Sequence, residues 1–389
     1  MPFYHKLGDI PHKRHTAFRG EDARLLPEHL MGNIGFAGIQ SLLYTLRAPT
    51  AIVSAEKIRD IRWERDPDET LRPRHFFTHR LASAGPSAVM DRVPLMFNGD
   101  IAMSLARPTR PDDFFYRNSQ GDEIVYVTEG EGVLESQFGE LAYRGGDYVV
   151  IPRGIIHRFR PATENSIFFI VESTGYVRTP HRYRNDHGQL LEHSPFCERD
   201  IRPPESLPVH GETGEFPVVV KKQNAFHRIV LDHHPLDTVG WDGFYYPWAL
   251  SIHDFEPITG RIHQPPPVHQ TFESEGFVLC SFVPRLFDYH PDAIPVPYVH
   301  SNVMSDEVLY YCNDEFMSRK GIEFGSISLH PDGIPHGPQP GKAEASIGKK
   351  ETKELAVMVD TFKPLWVART VLDCEDPDYT RSWLDNGRG

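Results

Sequence analysis

At 389 residues the chain exceeds one typical domain, so two modules are expected. With 39% hydrophobic and 24% charged residues it reads as a soluble globular protein, and no apolar run approaches the ~18 residues that a membrane helix needs. A net charge of −13 excludes nucleic acid as a main partner, because phosphate binding needs a basic field.

The start, MPFYHKLGDIPHKRH, has no apolar secretory core. The four cysteines (Cys197, Cys280, Cys312 and Cys374) form no CxxC pair, so free thiols and a cytoplasmic location are expected. The 34 prolines and 30 glycines predict many short connections rather than long helices. Residues 1–50 begin polar, with a basic patch at His12, Lys13, Arg14 and His15 read as a solvated arm. An apolar stretch over 35–46 is read as strand. Strand-like pieces follow over 50–110, with turns at Gly85-Pro86 and Asn98-Gly99-Asp100.

Residues 113–160 are more informative. Short runs (EIVYV, GVLESQF, GDYVVIP) alternate with glycine turns, the pattern of an antiparallel barrel or jelly roll. The segment GDYVVIPRGIIH resembles the second cupin signature. Residues 161–215 are polar and turn-rich and read as a surface connection. Strand text resumes over 216–285, and the end, DPDYTRSWLDN, is read as a short helical tail.

The block at 298–341 repeats the block at 113–160. Asp122-Glu123 matches Asp306-Glu307, and further on Pro152, Gly154 and His157 match Pro331, Gly333 and His336. The spans between these anchors differ, 34 residues against 29, so one β-turn has changed size. Where the second copy has His300, the first has Tyr116. The predicted fold is therefore mainly β: a bicupin of two double-stranded β-helix barrels with a short C-terminal helical tail. The expected division is 1–160 as a degenerate barrel with its arm, 161–215 as the connection, and 216–389 as the metal-binding barrel.

The second copy carries the chemistry. His300, Glu307 and His336 offer two imidazoles and one carboxylate without a thiolate, a set that favours iron or manganese over structural zinc and, with open positions, suits non-haem Fe(II). Asp306 competes with Glu307, and strand alternation lets only one of them face inward. His330 could face the same cavity and hold a water, dioxygen or a substrate oxyanion. Tyr298 sits two residues before His300 and could meet a phenolic substrate.

The run PYVHSNVMSDEVLYYCNDEFMS, followed by SLHPDGIPHGP, resembles the metal region of homogentisate 1,2-dioxygenases. The likeness extends to VGWDGFYYPWALSIHDFEPITG and to Asp376, Tyr379 and Trp383, covering roughly residues 95 to 385. The resemblance implies a bicupin, trimeric or hexameric, that uses Fe(II) and O₂ to open the ring of homogentisate or a related dihydroxy-aromatic. It puts the iron ligands on His300, Glu307 (or Asp306) and His336, the second histidine on His330 and a substrate contact on Tyr298.

Two departures stand out. The family spacing from first histidine to carboxylate lands on Asp306. The family's acid/base histidine, in a Trp-His-Gly context, is replaced by Asp242 between Trp241 and Gly243. Candidate bases are then Asp242, His263 or His269. Arg261 and Arg319 are candidate partners for a substrate acid.

Overall fold

The structure, a computed structural model, describes residues 3–384. It is built almost wholly from β-strands. Two large sheets make the N-terminal barrel. One has seven strands and contains Phe115–Asn118, Glu131–Ser136, Gly139–Arg144 and His157–Pro161. The other has eight and contains Ile101–Ala106, Asp122–Glu129, Asp147–Ile151 and Ile167–Ser173. A six-stranded sheet forms the wall of the C-terminal barrel, in the order Gln270–Ser274, Phe277–Phe282, Ala356–Thr361, Asp306–Tyr311, Ile327–His330 and Arg74–Phe76. Among the described residues no helix is long and apolar enough to cross a membrane.

The repeat is visible in the backbone. Gly154 and Gly333, the matched glycines of the Pro-x-Gly turns, both have positive φ, +83° and +81°. A side chain would strain either turn, so the glycine is required there. Each turn delivers its histidine to the same kind of partner. His157 pairs with Tyr116, and His336 pairs with His300.

The two barrels share one core. The Phe169 ring stacks on Tyr310 at 4.6 Å. The hydroxyl of Tyr310 meets Thr128 Oγ1 at 2.9 Å, and that of Tyr148 meets Ser281 Oγ at 2.8 Å. The chain also stitches the halves together. Arg74–Phe76 from the first half closes the C-terminal sheet, and Trp366–Val367 pairs with Val93–Phe97 of the N-terminal barrel. Burying aromatic rings between two sheets ties the halves by their largest apolar areas.

The expected division of the chain moves in two places. Ile167–Ser173, inside the stretch read as surface connection, is a buried central strand paired with Ile101–Ala106 on one side and Asp122–Glu129 on the other. Strands Thr213–Lys222, Ala225–His233 and Trp248–Ser251, expected in the second barrel, extend the sheets of the first. Val218 and Val219 are the reason for the former pair: they run parallel to Phe115 and Tyr116 and pack on them. The expected helical tail is a 3₁₀ segment, Tyr379–Trp383, and a second, Arg369–Cys374, precedes it. Asp385 and Asn386 of the expected tail lie outside the described residues.

Candidate metal centre

The ligand atoms of His300, Glu307 and His336 lie within 4.8 Å of one another. Two local features hold them there. The backbones of His300 and His336 exchange two hydrogen bonds, each 2.9 Å, so the two imidazoles leave adjacent chains side by side. Their ring centroids are 4.3 Å apart. Glu307 comes from the neighbouring strand Asp306–Tyr311 and is 6% exposed.

Strand alternation separates the two acids. Glu307 points to the histidines, with Oε2 3.5 Å from His336 Nε2. The Asp306 carboxylate instead accepts the backbone N–H groups of Asp332 (2.8 Å) and Leu365 (2.7 Å), fastening the strand to two loops. The carboxylate in the cluster is therefore Glu307.

The histidines suit a cation. His300 Nδ1 is engaged by the Tyr298 carbonyl at 3.1 Å, which leaves Nε2 for the cluster. His336 is buried, and neither of its ring nitrogens has a hydrogen-bond partner. A buried imidazole facing a carboxylate without hydrogen-bonding it is what a metal between them would satisfy. Burial raises the Glu307 carboxyl, but the hydrogen bond from His330 and the closeness of His336 outweigh it and hold the group well below its ordinary value.

A cavity of about 490 Å³ opens over His300 and Glu307. Its walls include the proline-rich loop Pro265–Pro266–Pro267, Phe282, Tyr298 and Met358, with His300 and Glu307 at one end. Apolar walls with a few polar groups are the usual design of a small-molecule site.

The other predicted residues divide. His263 and Tyr298 both line the cavity; their rings are 5.4 Å apart, and His263 faces Asp288 at 3.6 Å. His269 also lines it and is buried, with Nδ1 unpartnered. Burial and the nearby Arg285 hold His269 well below its ordinary value, so the ring is neutral.

His330 does not face the cavity. Its Nδ1 meets Glu307 Oε1 at 2.8 Å and its Nε2 meets the Tyr379 hydroxyl at 3.0 Å. Both nitrogens are used, so His330 orients Glu307 rather than holding a substrate or dioxygen.

Asp242 lies outside the site. It sits in a four-stranded sheet made with the N-terminal arm, paired with Lys6 and Leu42, where Arg14 (2.7 Å) and the Tyr4 hydroxyl (2.9 Å) bind its carboxylate. None of those residues lines the cavity. The pairing of that strand with the arm carried Asp242 away. Arg261 is exposed and does not line the cavity; Arg319 is 4% exposed, with Nη2 3.7 Å from Glu307 Oε1.

One cavity residue had no signal in the sequence. Asp360 stands directly across the strand from Glu307, lines the cavity, and keeps a buried oxygen without a partner. Burial and the Glu307 charge push its carboxyl well above the ordinary value. It belongs to no motif; only sheet register brings it there.

Residues 62–252 match the family described as "Homogentisate 1,2-dioxygenase N-terminal". A protein of Saccharolobus solfataricus named "Putative dioxygenase" is 42% identical over 98% of this chain and 99% of its own length. Homogentisate 1,2-dioxygenases of Legionella pneumophila and Rhizobium meliloti are 25% and 26% identical over 69% and 70% of this chain. The chain spans 62% of the length of each of those two. Among solved structures, a cupin 2 conserved barrel domain protein from Leptotrichia buccalis aligns over 76% of this chain and 99% of its own, at 10% identity and a TM-score of 0.36. The barrel assignment here rests on the strand pairing itself. Together with the His/Glu/His cluster, the near full-length relative and the family match lead to one conclusion: the chain is a divergent member of the homogentisate 1,2-dioxygenase family.

Proposed function

We propose that this protein is a non-haem Fe(II) dioxygenase that opens the ring of a dihydroxy-aromatic acid, homogentisate or a related hydroquinone. The observation that carries the proposal is the triad of His300, Glu307 and His336, of which His300 and Glu307 close one end of a largely apolar cavity of about 490 Å³. Two neutral imidazoles and one carboxylate on one side of the ion leave positions for substrate and O₂, and the absence of thiolate disfavours structural zinc.

Bound iron would lower the cost of a phenolate by ligation and give O₂ a site next to the ring. The chain's own residues do the rest. The loop 265–267, Phe282 and Met358 exclude water and hold a flat ring. His263, beside Asp288, is the proton acceptor at the cavity wall, and His269, buried and neutral with Nδ1 unpartnered, can accept a hydrogen bond from a phenolic hydroxyl. Tyr298 presents its ring at the same wall. The cations at hand for a substrate carboxylate are Arg285, which lines the cavity and pairs with Glu354 at 2.7 Å, and Arg319, buried beside the triad. With Asp242 outside the site, the proton acceptor lies elsewhere than the Trp241 segment. That favours the class of hydroquinone acids over a commitment to homogentisate alone. A homo-oligomeric assembly belongs to the same proposal.

The test is oxygen uptake by protein loaded anaerobically with Fe(II) and offered a panel of hydroquinones and catechols with and without acidic side chains. One O₂ consumed per hydroquinone acid, with a ring-opened product, is the expected result. No uptake with any member overturns the proposal.

A further inference from the structure

The described C-terminus ends on the metal centre. Tyr379, 2% exposed, places its hydroxyl 3.0 Å from His330 Nε2, and His330 Nδ1 lies 2.8 Å from Glu307. The proton order along this line is fixed by chemistry. A carboxylate only accepts, so His330 Nδ1 carries the hydrogen; Nε2 is then the acceptor, and Tyr379 donates to it. The tail also holds the chain that follows His336. Trp383 Nε1 donates to the carbonyl of Gly337, next to His336, at 3.1 Å, and Gln339 Nε2 donates to Ser382 Oγ at 2.6 Å. The Trp383 ring also stands edge-on to His330, with centroids 5.9 Å apart. A residue 72 positions after Glu307 in sequence thus sets the orientation of that carboxylate through one histidine.

We infer that the segment Asp376–Trp383 is a brace for the metal ligands, with Tyr379 a positioning residue, and that docking of this segment and metal binding favour each other. The inference rests on the metal reading above. Its physical content is a linkage. If the metal binds the docked form more tightly, the metal must in turn stabilise docking by the same factor. Without the Tyr379 hydroxyl, His330 Nε2 is left buried and unpaired, and the ring loses the contact that fixes its tautomer.

The experiment is anaerobic titration of the full chain with Fe(II) and with Co(II), on wild type and Tyr379→Phe, with apo-state melting and the Co(II) visible spectrum recorded for each. Tyr379→Phe keeps the ring but leaves His330 Nε2 unpaired, so the apo fold is expected to melt slightly below wild type, still in one cooperative transition. Metal affinity is expected to fall about 10–100-fold, the usual cost of losing such a partner, and the Co(II) bands to shift. In parallel, metal loading of wild type should slow hydrogen exchange at the amides of 379–384. Trp383→Phe, which removes the donor to Gly337, is the second variant and should weaken binding by a smaller factor. Unchanged affinity and spectrum in Tyr379→Phe, or exchange in the tail indifferent to metal, overturns the brace. Failure of wild type to bind either metal overturns the metal reading itself, and the brace with it.

Discussion

The two barrels carry the same carboxylates in the same places and neutralise them differently. In the N-terminal barrel Glu123 takes the position of Glu307. Arg92 binds it with two hydrogen bonds of 2.9 and 2.8 Å, Tyr116 and Asn118 add two more, and His157 stands nearby. Glu172, across the strand, is paired with Lys221 at 2.5 Å. In the C-terminal barrel the equivalent acids are Glu307 and Asp360. His330 serves Glu307, Arg319 stands off at 3.7 Å, and Asp360 keeps a buried oxygen unpartnered. A buried carboxylate needs a positive charge beside it. The first barrel supplies that charge from its own chain, with a guanidinium; the second leaves room for an ion. Tyr116 stands in the first copy where the second has His300, and the Arg92 guanidinium takes up the carboxylate beside it.

The comparison predicts its own points of failure. The largest effect is expected from His336→Ala, which removes a ligand that nothing else in the cluster replaces. Metal content by elemental analysis should fall from one ion per chain to none while the fold persists. Next is Arg92→Ala, which leaves Glu123 buried without its cation and should cost about 3–5 kcal/mol in a denaturant titration. Replacing both partners, Arg92→Met with Glu123→Gln, should recover most of that loss, because no unpaired charge remains. If the single and double variants are equally unstable, packing rather than charge explains Arg92.

A smaller effect is expected with acid. Burial opposes ionisation of Glu123, but Arg92 wins and holds it down to about 2, below an ordinary value of 4.5. A depressed carboxyl contributes stability that is present above the ordinary value and lost as pH falls toward the folded one. Wild type should therefore lose stability between about pH 4.5 and 2, and the Arg92→Met/Glu123→Gln variant should lose less over that window. Asp360 works in the opposite sense. Its raised pKa costs stability at neutral pH, and Asp360→Asn should leave the apo protein as stable or slightly more so. The smallest effect belongs to Tyr116→His. It restores the missing imidazole beneath a guanidinium that still fills the place, so metal content should stay at one ion per chain.

Much of this is legible in residues alone. The duplication shows because both copies keep the Asp-Glu pair and a Pro-x-Gly-x-x-His turn whose glycine the backbone demands at positive φ. The triad follows, since the repeat assigns His336 and Glu307 to a barrel mouth. What sequence left open or misplaced depends on contacts far along the chain. Glu307 against Asp306 is decided by which way the strand faces. His330 looks like a cavity histidine until Tyr379 is seen to occupy its second nitrogen. Asp242 stands in the family's catalytic segment, yet strand pairing with the arm and the ion pair to Arg14 hold it elsewhere. Arg92 lies 31 residues before Glu123, outside the repeated block, and Asp360 belongs to no motif. The strands over 213–233 look like any others, and nothing local says which barrel they join.

The most direct measurement is an anomalous difference map at the iron edge from crystals loaded with Fe(II) under anaerobic conditions. The account predicts one peak per chain, bounded by His300, Glu307 and His336, with none in the N-terminal barrel. A peak among Tyr116, Glu123 and His157, or no peak at the C-terminal triad, would contradict it.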